Sequence, residues 1–166
     1  MRHIISILLQ NEAGALARVA GLFAARGYNI DSLTVAATHD PQVSRLSLVL
    51  HGDEAVIDQI IKQSRKLIDV LEVADLTTRL HLESELLIVK VRTIAGNDDA
   101  LDACLYRHRA FPIDENQDIR TIQFAGPGSV VDAFLGELSA VSSLIELARS
   151  GTAALERGGA LLGAGA

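Results

Sequence analysis

Short apolar runs alternate along the chain with stretches whose apolar residues recur every three or four positions. His3 to Leu9 is rich in Ile and Leu and short enough for a buried strand. Asn11, Glu12, Ala13 and Gly14 break it. From Ala15 the period changes: Leu16, Val19, Ala20 and Phe23 fall at i, i+3, i+4 and i+7, one apolar helix face from which Arg18 and Arg26 point away. Gly27 follows, where a left-handed residue would end the helix. Asn29 to Thr38 favours strand, His39, Asp40 and Pro41 favour a turn, and Val43 to Leu50 alternates with Leu46, Leu48 and Leu50 on one face, completing a hairpin. After Gly52, Asp53 suits the N-cap of a helix carrying Val56, Ile57, Ile60, Ile61 and Leu67, and Val70 to Leu76 reads as a fourth strand. This order is βαββαβ, an antiparallel sheet with both helices on one face.

Residues 77–85 are polar and lack a period, so they read as a linker between a first domain (1–76) and a second (86–166). The second repeats the order. Leu86 to Thr93 is a strand and Asp98 to Arg109 a helix whose Leu101, Cys104, Leu105 and His108 share a face. Phe111 to Asp114 and Thr121 to Ala125 are short strands around a polar turn. Gly126-Pro127-Gly128-Ser129 leads into a helix with Val130, Phe134, Leu138 and Val141, and Leu144 to Ala148 is a last strand. The Gly/Ala-rich end from 158 to 166 is expected to fray. Pro112 cannot donate to a ladder, which places its strand at an edge or makes it irregular. The fold class is α+β, two ferredoxin-like units in tandem.

Composition narrows the function. Apolar residues make up 49% of the 166 and aromatics only 4%, with no Trp, so the cores are built from Ile, Leu, Val and Ala. The net charge of −6 argues against a nucleic-acid partner, which needs clustered Lys and Arg. A single cysteine allows no internal disulfide and suits a reducing compartment. Without a signal pattern or an apolar run of about 20 residues, the expectation is a soluble, cytoplasmic protein.

Catalytic chemistry is hard to assemble from these residues. The five histidines are scattered, no His pair has metal-ligand spacing on a helix, and no metal site is expected. Cys104 has no neighbouring Cys and sits on an apolar face, the setting of a packed thiol, with His108 beside it as the one feature that would favour a thiolate. Nucleophile-elbow, zincin and P-loop signatures are absent. The chain reads as non-catalytic. Gly14 is the more suggestive position: without a Cβ at the strand-to-helix turn, a small carboxylate can approach the amide groups of the first helical turn. A plain tight turn explains the same glycine.

The stretch N-E-A-G-A-L-A-R-V-A-G-L-F-A-A-R-G-Y-N-I-D-S-L-T-V, with S-R-L-S at Ser44 to Ser47, closely resembles the start of the regulatory small subunits of acetolactate synthase. D-A-F-L at Asp132 to Leu135 and A-R-S-G-T-A-A-L-E-R-G near the end carry a looser likeness. The resemblance implies an ACT domain in the first half, paired with a second copy in a homodimer, with valine or another branched-chain amino acid bound between copies. It implies an effector site of Asn11, Gly14, Ala15 and Leu16 from one chain with Asn29 and Ile30 from the other. Amides near Gly14 would hold the carboxylate, the two Asn side chains the ammonium group, and Leu16 with Ile30 the aliphatic side chain. It also implies a catalytic large subunit as partner, which would carry thiamine diphosphate, Mg²⁺ and FAD; no cofactor is expected on this chain. Two other readings stay open: an ACT-type sensor acting on a different enzyme or on transcription, and a small enzyme on the same fold.

Overall fold

The computed structural model describes residues 1–159, 161 and 162. In chain order the elements are β1 (Arg2–Gln10), α1 (Ala15–Ala24), β2 (Ile30–Ala37), β3 (Val43–His51), α2 (Glu54–Ser64), β4 (Val70–Asp75), β5 (His81–Thr93), α3 (Asp98–His108), β6 (Phe111–Asn116), β7 (Ile119–Gly126), α4 (Gly128–Val141), β8 (Ser142–Arg149) and β9 (Ala153–Glu156). They fall into two compact units. Residues 1–82 group with the described residues from Thr152 onward, and 83–151 form the other. The expected division at 77–85 is therefore incomplete. Most of that polar stretch is already strand, since β5 begins at His81, and the chain returns to its first unit after Gly151.

In the first unit the strand order is β2-β3-β1-β4, every neighbour antiparallel. Ile5 lies opposite Leu48 and Ile7 opposite Leu46, so the apolar alternation of β1 and β3 falls on one face. Ala15, Val19 and Phe23 of α1 pack there with Ile57, Ile60 and Ile61 of α2 and Val73 of β4. Gly27 has a φ of 70°, and Gly27 N–H donates to Ala24 O while Tyr28 N–H donates to Phe23 O, the two bonds of a Schellman turn. Asp53 stands at the N-cap of α2 as expected, though its side chain makes no capping bond; α2 stops at Ser64, short of Leu67.

The opposite face of this sheet is not left to water. Ile4, Val49 and Ala74 pack with Leu76 and, from the returning segment, Ala154 and Leu162. That cover explains why Ser47 and Val49 are buried where alternation alone predicts a half-exposed strand. β9 pairs with β5, and beside that pairing Arg157 N–H donates to Leu80 O. No sequence period marked β9, which is only four residues long. Beyond Gly159, the end expected to fray lies outside the described residues except for Leu161 and Leu162.

The second unit orders its strands β6-β7-β5-β8. Leu87, Val89 and Val91 of β5 face Leu101, Cys104 and Leu105 of α3 and Val131, Phe134 and Leu138 of α4. The apolar stripe of α4 runs through Val131, Phe134 and Leu138, while Val130 is 40% exposed, so the expected stripe differs only at its first residue. Pro112 lies in the edge strand β6, where the register slips between Pro112 and Asp114.

Core and edge respond differently to truncation. Phe23→Ala empties a fully buried ring site and should cost about 3–5 kcal/mol. Phe111→Ala, at 63% exposure on the edge strand, should cost within about 0.5 kcal/mol. Urea unfolding of the two variants checks the contrast; equal losses would contradict the packing described.

Candidate functional site

At the end of β1 the chain turns through Gly14, whose φ of 87° is left-handed and strains any residue with a Cβ. Gly14 is the N-cap of α1, and no side chain caps it. The first helical bond is Arg18 N–H to Gly14 O, so the amides of Leu16 and Ala17 have no partner one turn back. The first turn of α1 holds no acidic residue, whereas α2 answers its dipole with Glu54 and α3 with Asp98 and Asp99. An open, positively polarised helix start behind a glycine suits a carboxylate.

Arg18 adds to this charge, against the expectation that it simply faces water. Its Nε and Nη2 both donate to the carboxylate of Asp69, whose side chain is 5% exposed. Its Nη1 lies 3.0 Å from where a Cβ on Gly14 would stand, so the guanidinium leans over the turn. The signal was present in the spacing: Arg18 follows Gly14 by four residues, one helical turn on the same side.

The six expected site residues divide into two groups. Asn11 is exposed beside Gly14; its Nδ2 donates to Pro41 O at 2.8 Å, which leaves Oδ1 facing outward as an acceptor. Ala15 is buried in the core and can offer only backbone, while Leu16 is 36% exposed. Asn29 and Ile30 lie elsewhere. Ile30 opens β2 opposite Leu50, and Leu50 is opposite His3, so this pair belongs to the other end of the sheet. From the level of His3 to Asn11 is eight strand residues, roughly 25 Å. Asn29 Nδ2 donates to Asp31 Oδ1 at 3.2 Å, and Asp31 Oδ2 meets His51 Nδ1 at 2.5 Å. One chain therefore does not bring the two groups together.

Two other titratable groups were candidates for chemistry. His3 is buried with Nε2 3.2 Å from Gly52 O and Nδ1 3.5 Å from Thr77 Oγ1, a satisfied core histidine. Burial pushes the Cys104 thiol up from its usual value, the opposite of what a nucleophile needs.

A βαββαβ sheet with an open, glycine-led helix start defines an ACT-type module, and sequence comparison agrees. Residues 5–72 match the family described as "AHAS small subunit-like ACT domain", and residues 84–158 match "Small subunit of acetolactate synthase". The chain belongs to the acetolactate synthase small-subunit family. Among its relatives, the acetolactate synthase isozyme 3 small subunit of Escherichia coli K12 is 46% identical over 158 residues, 95% of this chain and 97% of the relative. The acetolactate synthase small subunit of Aquifex aeolicus is 39% identical over 159 residues, 94% of this chain and 81% of the relative. The crystal structure of the Thermotoga maritima acetolactate synthase small subunit superposes with a TM-score of 0.85 at 32% identity, covering 96% and 99% of the two chains.

The Arg18–Asp69 pair carries a pH signature. Hydrogen bonding from Arg18 holds the Asp69 carboxyl below its ordinary value. The folded state then binds that proton less tightly than the unfolded chain. The pair's stabilisation is complete above the ordinary value of about 4 and fades as pH falls below it toward the folded-state value. Urea midpoints measured from pH 7 down to pH 3 should fall more steeply for the wild type than for Asp69→Asn once pH drops below about 4. Parallel curves would remove the pair from the acid response.

Proposed function

We propose that this chain is the regulatory subunit that activates the catalytic large subunit of acetolactate synthase and makes it sensitive to valine or another branched-chain amino acid. Its effector site is completed by a second copy of the chain. The thiamine diphosphate, Mg²⁺ and FAD of the reaction belong to the large subunit. What supports the shared site is the separation of the two half-sites: Gly14 and Asn11 lie at one end of the first sheet, Asn29 and Ile30 at the other.

The edge strand β2 supplies the join. It runs eight residues, IDSLTVAA, with no proline or lysine to discourage pairing, and within the sheet it has a neighbour only on the β3 side. Ala37, at its far end, pairs with Ser44, and the next β3 residue, Val43, lies opposite Gln10, the residue before Asn11. An antiparallel two-fold pairing of β2 with its copy sets the Ile30 end of one protomer beside the Ala37 end of its partner. That is the end where Asn11 and Gly14 stand. The effector carboxylate then meets the amides of the first turn of α1 beneath Arg18, its ammonium group meets the Asn11 and Asn29 carboxamide oxygens, and its aliphatic side chain packs on Leu16 and Ile30.

Binding to the folded dimer raises the melting temperature. At a hundredfold excess over Kd the stabilisation is about 2.7 kcal/mol. Millimolar valine, leucine or isoleucine should shift the melting curve upward; no shift with any of them contradicts the effector site. In acetolactate assays with the large subunit, Gly14→Asp and Asn29→Leu should keep activation and lose valine inhibition. Gly14→Asp also strains the left-handed turn, so Asn29→Leu is the cleaner variant. Loss of activation together with inhibition, in a well-folded variant, would make this surface part of the docking site instead.

A further inference from the structure

The second unit brings three metal-ligating side chains together where the sequence offered only one adjacent pair. Cys104 and His108 are four residues apart on α3, which sets them one above the other on the same face. Glu137 reaches them from α4, and the thiol, an imidazole nitrogen and a carboxylate oxygen all lie within 4.8 Å of one another. Spacing along the sequence does not reveal this group, because its third member stands 29 positions beyond His108 and on another helix.

Their setting suits a metal. Cys104 is 3% exposed, the His108 side chain 13% and the Glu137 side chain 42%, so the group runs from the core to the surface. His108 Nε2 is buried and lies 3.1 Å from Glu137 Oε1, so imidazole and carboxylate already meet, though outside good hydrogen-bond alignment. The rings of Phe124 and Phe134 wall the imidazole, their centroids 6.2 and 5.0 Å from its own. Arg107 Nη1 donates to Glu137 Oε2 at 2.5 Å and so fixes the carboxylate from outside, the role an outer partner plays around a metal.

We propose that Cys104, His108 and Glu137 form a binding site for a divalent transition cation of the Zn²⁺ type, tying α3 to α4. Thiolate, imidazole and carboxylate are a ligand set for Zn²⁺ rather than for Mg²⁺ or Ca²⁺, which take oxygen alone. Thiolate and carboxylate together balance the two positive charges, and the proton lost from Cys104 passes to solvent. Bonds of about 2.0–2.3 Å in a tetrahedron put ligand atoms roughly 3.5 Å apart, so binding draws the three groups inward by small side-chain rotations. The fourth position opens on the exposed Glu137 side and is filled by water.

The test uses the full chain, stripped with chelator under reducing conditions and titrated with Co²⁺ as an optical probe. A thiolate-to-Co²⁺ charge-transfer band with the visible bands of a four-coordinate ion should grow to one-to-one stoichiometry and be displaced by Zn²⁺. Cys104→Ser should abolish the charge-transfer band. His108→Gln and Glu137→Gln should each weaken binding by roughly tenfold or more, and Zn²⁺ should raise the melting temperature of the wild type but not of Cys104→Ser. Glu137→Gln is the decisive variant, since its half-exposed position keeps folding intact, as circular dichroism will verify. Absence of the charge-transfer band in the wild type, or unchanged affinity in Glu137→Gln, would overturn the proposal. Either result would leave Glu137 as no more than a bridge between Arg107 and His108.

Discussion

The direction of a helix that crosses over between two parallel strands, β1 and β2, constrains everything proposed for this protein. A strand that runs into a helix and returns as a second strand must place the start of the helix at one end of the sheet and its exit at the other. Here Gly14 is the start and the Asn29–Ile30 step is the exit, so the Asn11–Leu16 group and the Asn29–Ile30 group are held apart by the length of β1. An amino acid is far shorter than that span. Either the two groups have nothing to do with one another, or a second chain joins them. The unguarded edge of β2, with its ends at the two places in question, makes the second solution geometrically direct. Under the proposed function, feedback control depends on the dimer.

The local conformation at both ends of α1 is fixed by glycine. Gly14 and Gly27 both take positive φ. At Gly27 the consequence is structural, because the Schellman bonds close the helix and aim the chain toward Asn29. At Gly14 the left-handed turn opens the amides of the next residues, and Arg18 stands over them while anchored to the buried Asp69. Asp69 precedes β4 in sequence, so the ion pair also fixes that strand's approach to α1.

Much of the fold was legible because the strands and helices obey their own periods. The alternation of Leu46, Leu48 and Leu50 and the helical spacing of Leu16, Val19 and Phe23 placed β3 and α1 within a residue or two. What escaped has physical causes. Four residues of β9 are too few to show a period, and the burial of Ser47 and Val49 depends on a segment more than a hundred residues away. Arg18 looked solvent-facing because helical periodicity says which residues leave the core but not which partners meet them. Val130 and Val131 lie four and three residues before Phe134, so helical spacing admits either on the buried face and does not choose between them. In the second unit the quoted motifs acquire reasons: D-A-F-L supplies Asp132 and A-R-S-G supplies Arg149, which pairs with Asp132 and with the buried Glu85. A carboxylate at 4% exposure needs such a cation, because removing one partner would leave an uncompensated buried charge. The assignment of the six effector positions to two chains rests on family resemblance alone; spacing along one sequence carries no information about a two-fold axis.

The central claim is that one chain's Gly14 end and another chain's Asn29 end make a single effector site. Subunit mixing tests it directly. Chains carrying Gly14→Asp and chains carrying Asn29→Leu, differently tagged, are co-expressed and the mixed dimer is purified through both tags. In that dimer one junction carries both substitutions and the other carries neither. Valine titration by calorimetry should show no binding to either homodimeric variant and half the wild-type stoichiometry in the mixed dimer. If the mixed dimer binds none, each site lies within a single chain and the shared-site account is wrong.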